Sequence, residues 1–263
     1  MEEKIIHFVS GLPRAGSTLL CNILAQNPRF FTTATSGILE VIFAVRNMWE
    51  NFIEFRASPD DEAKMRVMRS ILFSFHGNGD RPVVFDKSRG WLGHLELAEA
   101  LLGRKAKVLV PVRDLKDVLA SFEKLYRRNA HIFQTETEKQ LYYKWQTIKG
   151  RIEIWSDPSQ PVGLAFNRIQ DALVRGFSDR MHFVRYEELT RDPEGTMKSI
   201  YQFLGEDSFD HNFEYVEQVT HENDFVHGFR DLHEIRPKVE PQPSQWRDVL
   251  GDAAKVITAV EPW

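Results

Sequence analysis

A chain of 263 residues that is 42% hydrophobic and 12% aromatic can bury a full core, and residues 1–263 read as a single domain. A formal net charge of -4 argues against a nucleic-acid partner held by bulk electrostatics, so any anion recognised must be met by locally placed Arg and Lys. The lone Cys21 excludes a disulfide framework and a Cys-rich metal site, and nine scattered His residues without HExxH or Cys-His spacing offer no metal motif.

Met1 to Lys4 lead straight into an apolar strand, which leaves no room for a signal peptide. No apolar run approaches the ~18 residues of a membrane span, and the sequence reads as soluble and cytoplasmic. Ile5–Ser10 predicts a buried strand, and the stretch GLPRAGSTLL follows it. Gly11 and Gly16 have the spacing of a phosphate-binding loop, but Ser17 and Thr18 stand where that motif carries Lys and then Ser or Thr. Backbone N–H groups of such a loop and of the helix it opens, Ser17–Ala25, converge where the helix dipole also favours an anion. Arg14 is the cation left inside the loop, which favours a group shorter than a triphosphate. Read as turn chemistry alone, the segment would leave Arg14 beside an apolar strand with no anion to meet it.

Helices are expected over Ile38–Phe55 and from Pro59 and Asp60 to about Phe75. The strand Val83–Asp86 ends in Asp86, Lys87, Ser88 and Arg89. The strand Lys107–Val112 ends in Arg113 and enters a helix, Leu115–Arg128, on which Ser121 lies eight residues after Arg113. A helix over Thr137–Trp155 and a strand His182–Arg185, which ends in Tyr186, come next. Pro193–Leu204 is a helix stopped by Gly205. The segment from His221 to Gln245 is irregular, with Pro237, Pro241 and Pro243, and a loop of that length is more often functional than decorative. Strands alternating with helices predict an α/β fold, a P-loop-type parallel sheet flanked by helices on both faces, with ligands at the carboxyl ends of its strands.

Taken singly, Arg113–Asp114 reads as a surface ion pair, Lys87–Asp86 as a structural pair and Tyr186 as a core aromatic. Three strand ends delivering cations to one edge, beside the loop, read as a site. His76, His94 and His131 read as solvated or hydrogen-bonded.

The run from Arg14 through Thr18 after an apolar strand, and VRDLKDVLASF with Arg113 and Ser121, resemble the two nucleotide-binding signatures of the sulfotransferases. Arg14, Thr18 and Tyr186 in VRYEEL resemble the bacterial and tyrosylprotein branch. This resemblance implies 3′-phosphoadenosine 5′-phosphosulfate (PAPS) as co-substrate, 3′-phosphoadenosine 5′-phosphate (PAP) as product, no metal, and direct in-line sulfuryl transfer to a hydroxyl or amine. It implies Pro13, Arg14, Ala15, Gly16, Ser17, Thr18 and Leu19 around the 5′-phosphosulfate, with Arg14 also meeting charge on the bridging oxygen. Lys87 would reach the sulfuryl group or leaving oxygen, Arg113 and Ser121 the 3′-phosphate, and Tyr186 the adenosine. Lys238, in a closing segment at about 221–247, would make a late contact to the 3′-phosphate or sulfuryl group.

The family's general base does not carry over. Arg89 stands two residues after Lys87, where cytosolic members have His, and Thr35 stands where the tyrosylprotein branch has Glu. Glu40, one turn beyond Ser36, and Asp86, beside Lys87, are the carboxylate candidates. Small-molecule, glycan, lipid and peptide acceptors all fit. Phe30, Phe31, Trp49, Phe52, Phe55, Trp91 and Trp155 belong either to an acceptor pocket or to the core. A P-loop small-molecule kinase is a second reading, weakened by the missing lysine and by Asp86 being the sole obvious Mg²⁺ ligand. A non-catalytic PAPS- or PAP-binding protein is a third, kept open by the absent bases.

Overall fold

The computed structural model describes residues 4–77, 79–129 and 141–263. His131 and the start of the helix expected over Thr137–Trp155 lie outside the described residues. Five strands, β1 (Ile5–Val9), β2 (Phe30–Thr32), β3 (Val83–Lys87), β4 (Val108–Val112) and β5 (Met181–Arg185), form one parallel sheet in the order β2-β3-β1-β4-β5. This is the expected α/β class. Side chains alternate across the sheet as strand geometry requires. Ile6, Phe8, Val84, Val108, Val110 and Val112 point to one face, while Val9, Val83, Phe85, Leu109 and Val184 point to the other. Helices α2 (Ile38–Asn51), α4 (Asp61–His76), α5 (Leu95–Leu102), α6 (Leu115–Asn129), α8 (Ile148–Trp155) and α9 (Pro161–Val174) contribute to the first core. Helices α1 (Ser17–Leu24), α10 (Tyr186–Arg191) and α11 (Pro193–Leu204) contribute to the second.

Four predicted strands match within about a residue at their ends. The fifth, β2, escapes a periodicity reading because it is three residues long and is defined by its pairing to β3. The helix expected over Ile38–Phe55 breaks at Phe52, whose backbone is extended (φ -72°, ψ 135°), and resumes as α3 (Ile53–Ala57). The aromatic spacing hid the break: Trp49 stacks on Phe55 with centroids 4.0 Å apart, and Phe52 is exposed. A second break separates α7 (Tyr142–Trp145) from α8, where the Thr147 hydroxyl caps the new helix by accepting from the Gly150 N–H at 3.0 Å. Trp91, Trp155 and Phe30 are core residues, so they line no acceptor pocket. Among the described residues no helix is long and apolar enough to cross a membrane.

The chain runs outward from β1 toward β2 on one side and crosses to β4 on the other. The carboxyl ends of β1 and β4 therefore flank the switch point, where open α/β sheets bind ligands.

One buried group sets an acid limit. Neither ring nitrogen of His7 on β1 has a hydrogen-bond partner, and its ring lies 5.6 Å from that of Phe85. Burial, with the charges of Arg104 and Lys107, pushes the imidazole down to about 3. The unfolded chain takes up this proton near its ordinary value of 6.5, so stability falls as pH drops through that window, by roughly 1.4 kcal/mol per pH unit from this group. His7→Phe should raise stability below about pH 6 and flatten that slope, read by urea unfolding at about pH 4.5 and about pH 7.

Candidate active site

The loop after β1 is shaped by two glycines. A Cβ on Gly11 would collide with the Pro111 carbonyl oxygen and come within 2.7 Å of Pro111 N, and Leu12 N–H donates to that same oxygen at 2.9 Å. Arg14 and Gly16 both adopt positive φ, 59° and 81°. A Cβ on Gly16 would also lie 2.6 Å from Cδ2 of Tyr186, so the tyrosine ring packs directly on the loop. No side chain caps α1 and no acidic residue lies in its first turn, which leaves its N–H groups open to an anion.

A cavity of about 480 Å³ opens over this loop, lined by Pro13, Arg14, Gly16, Ser17, Thr18, Leu19, Lys87, Arg89, Arg113, Ser121 and Tyr186. The structure therefore brings together most of the residues the sequence singled out. Arg14 Nε donates to Ser121 Oγ at 3.1 Å, and its Nη1 donates to the Leu232 carbonyl. Arg113 Nη1 donates to the Arg14 carbonyl at 3.4 Å, its guanidinium carbon lies 4.5 Å from the Tyr186 ring centroid, and its buried Nε has no partner. Arg128, seven residues beyond Ser121 and so on the same side of α6, also lines the cavity. Burial, then the charges of Arg113 and Arg128, lower the Arg14 guanidinium below its ordinary range. Three guanidiniums, those of Arg14, Arg113 and Arg128, thus act on one another in this part of the cavity wall.

This geometry shifts some expectations. Arg14, expected at the 5′-phosphosulfate, turns its guanidinium toward Ser121 and Arg113, the group expected at the 3′-phosphate. Ala15 is in the core rather than in the cavity wall, so it offers the site backbone alone. Lys238 reaches the wall, but its ammonium pairs with Glu214 at 2.7 Å on the exposed side. Asp86 is fully buried and outside the cavity; its Oδ1 accepts from Trp91 Nε1 at 2.6 Å and its Oδ2 lies 3.0 Å from His76 Nε2. Strand alternation explains this, since Lys87 takes the side facing the loop and Asp86 takes the other. Glu40 is exposed in the first turn of α2, outside the cavity lining, and its charge acts on Arg168 and His94.

The Lys87 end holds residues the sequence did not single out. The Lys87 ammonium, nearly buried, lies 3.5 Å from Glu222 Oε1. That oxygen accepts from Thr35 Oγ1 at 3.0 Å and lies 3.3 Å from His233 Nδ1, while Glu222 Oε2 lies 3.2 Å from His227 Nε2. His233 Nδ1 is 2.6 Å from Asp224 Oδ1, and Asp224 Oδ2 accepts from the His233 backbone N–H at 3.0 Å. Burial works to raise the Glu222 carboxyl, but Lys87, His233, Thr35 and His227 outweigh it and hold it below the usual carboxylate range. The signal that pointed here was the irregular segment His221–Gln245, not any one residue in it. Glu222, His227 and His233 bring atoms within 4.8 Å of one another, a clustering that Lys87 and Asp224 already explain without a cation.

Residues 7–211 match the profile described as the sulfotransferase family. The chain belongs to that family. Its reaction is accordingly sulfuryl transfer, and the kinase and binding-protein readings are not favoured. Among solved structures, the sulfotransferase domain of the Synechococcus PCC 7002 olefin synthase is similar at a TM-score of 0.57 and 19% identity, over 100% of this chain and 98% of its own. The sulfotransferase domain from the curacin biosynthetic pathway has a TM-score of 0.52 and 18% identity, over 98% and 93%. A mouse sulfotransferase in complex with PAP has a TM-score of 0.49 and 19% identity, over 80% and 61%. Comparison with curated protein sequences gives no significant match. At these identities the first two likenesses speak for the fold alone.

Two substitutions separate site from scaffold. Gly16→Ala should weaken PAP binding about tenfold, since a Cβ there meets both positive φ and the Tyr186 ring; calorimetric titration reads it. Asp86→Asn should destabilise the fold by about 1–3 kcal/mol and leave PAP affinity unchanged, read by urea unfolding beside the same titration.

Proposed function

We propose that the loop N–H groups, Ser17 and Thr18 bind the 5′-phosphosulfate of PAPS, and that Arg113, Ser121, Arg14 and Arg128 bind its 3′-phosphate. Tyr186, packed between the loop and Arg113, carries the adenosine. The sulfuryl group then passes in line to a hydroxyl or amine of an acceptor at the Lys87 end of the cavity.

The observation that carries this reading is the guanidinium cluster. Like charges held this close repel, and an unpartnered buried donor such as Arg113 Nε costs about 1–3 kcal/mol. A dianionic phosphate relieves both. At the other end, Lys87 and the N-terminus of α1 stand where negative charge builds on the leaving 5′-phosphate oxygen as its bond to sulfur breaks. Preorganised charge at that point stabilises the transition state more than the ground state.

The acceptor is a molecule that reaches Lys87 between Thr35 and His227. Small-molecule, glycan, lipid and peptide hydroxyls all have the reacting group for this. Arg89 lines the same end in place of the family's histidine.

Calorimetric titration with PAP, run beside ATP and AMP, tests the 3′-phosphate assignment. PAP should bind far more tightly than either, and Arg113→Ala should weaken PAP by about tenfold to a hundredfold while leaving AMP unchanged. Equal binding of ATP and PAP, or an Arg113→Ala variant that binds PAP normally, overturns the assignment.

A further inference from the structure

Sulfuryl transfer to a hydroxyl releases a proton from the acceptor, and neither Glu40 nor Asp86 is placed to take it. We propose that His233, held by Asp224 on the closing segment, is the general base of this enzyme. The inference rests on the sulfotransferase reading above.

The geometry is that of a histidine oriented by a carboxylate. Nδ1 of His233 lies 2.6 Å from Asp224 Oδ1, and Asp224 is itself fixed by the His233 backbone N–H at 3.0 Å. An Nδ1–H donated to Asp224 selects the tautomer whose Nε2 carries the lone pair. The ring lines the cavity at the end where Lys87 and Thr35 lie.

The groups facing His233 are Asp224, Glu222 and His227 from its own segment, the last with ring centroids 5.5 Å apart, and Lys87 from β3. Burial lowers the imidazole below its ordinary value and the Lys87 charge adds to this, against the two carboxylates. This direction favours the neutral ring, the state a base requires.

Glu222 is the nearer carboxylate to Lys87, but it is less suited to the task. Its Oε1 is shared by Lys87, Thr35 and His233, and its Oε2 faces His227. These contacts stabilise the ionised form and fix the segment on β3 and on the turn after β2.

In the step so assigned, the acceptor oxygen bonds to sulfur as its proton passes to His233 Nε2. The bond between sulfur and the 5′-phosphate oxygen of PAPS breaks, and its electron pair stays on the departing PAP oxygen beside Lys87. The imidazolium formed is balanced by Asp224 and Glu222.

Phenol and 4-nitrophenol as acceptors distinguish this base from a structural histidine, because at about pH 8.5 4-nitrophenol is already ionised and needs none. His233→Asn should lower turnover with phenol about a hundredfold or more, change turnover with 4-nitrophenol by no more than about threefold, and leave PAP affinity intact. Asp224→Asn should move the acid limb of the phenol profile to lower pH, since the carboxylate that favours the imidazolium is gone. An equal fall with both acceptors, or no fall with phenol, overturns the base while PAP binding stands. Failure of the unaltered protein to bind PAP overturns the sulfotransferase reading, and the base with it.

Discussion

Pro111 lies in β4, a central strand, where a residue without an N–H interrupts the ladder to its neighbour. The register between β1 and β4 accordingly runs only through Phe8↔Val108 and Val9↔Leu109. Beyond it, Gly11 packs its bare Cα against the proline, and a last hydrogen bond from Leu12 N–H to the Pro111 carbonyl precedes the turn into the loop. On its other edge β4 stays paired to β5 as far as Val112↔Arg185. Arg113 and Tyr186, the next residue on each strand, are therefore neighbours at the mouth of the crevice the loop has left. One backbone donor missing from one strand thus brings the loop, the arginine and the tyrosine together.

The charge pattern follows from that convergence. Arg14, Arg113 and Arg128 come from the loop, a strand end and a helix, and each element is held by the apolar cores rather than by the site. The fold can therefore sustain a cluster that repels itself. Its counter-charges within the chain lie on the closing segment: Asp224 acts on Arg14, and Asp231 lies 3.3 Å from Arg128. Asp231 is half-exposed and Asp224 is engaged by His233, and the three guanidiniums outnumber these two carboxylates, which leaves an excess of positive potential.

Much of this was legible in the sequence, and what was not shares a cause. The loop, Lys87, Arg113 and Tyr186 each sit at or next to a strand end and Ser121 follows Arg113 by eight residues, a little over two helical turns, so local pattern and the rule for parallel sheets suffice to find them. Arg14 was legible as a loop cation but not in its direction, because its positive φ turns the side chain across to α6. Arg128 carried a readable signal in its seven-residue spacing from Ser121. Asp86 was misread because alternation places it on the face opposite Lys87, and a neighbour in sequence is not a neighbour in the site. Asp224, Glu222 and His233 meet Lys87 and Thr35 from well over a hundred residues away. No periodicity encodes such a contact, and only the irregularity of the segment announced it.

The closing segment touches both ends of the cavity and is anchored between them. Asn22 on α1 donates to Thr220 Oγ1 at 2.8 Å and accepts from the Val219 and Thr220 backbone N–H groups at 2.6 and 3.0 Å. The helix whose N-terminus opens on the cavity thus also holds the start of the segment that bears Glu222. At the far end Arg14 donates to the Leu232 carbonyl, one residue before His233. A guanidinium has five N–H donors, and Arg14 commits two of them, to Ser121 and Leu232, leaving three for an anion. On the assignment proposed above, the 3′-phosphate and the closing segment share Arg14 without competing for it. A nucleotide bound there would favour the placement of the backbone carrying His233 through the Arg14–Leu232 hydrogen bond, and by reciprocity a segment already in place would favour the nucleotide.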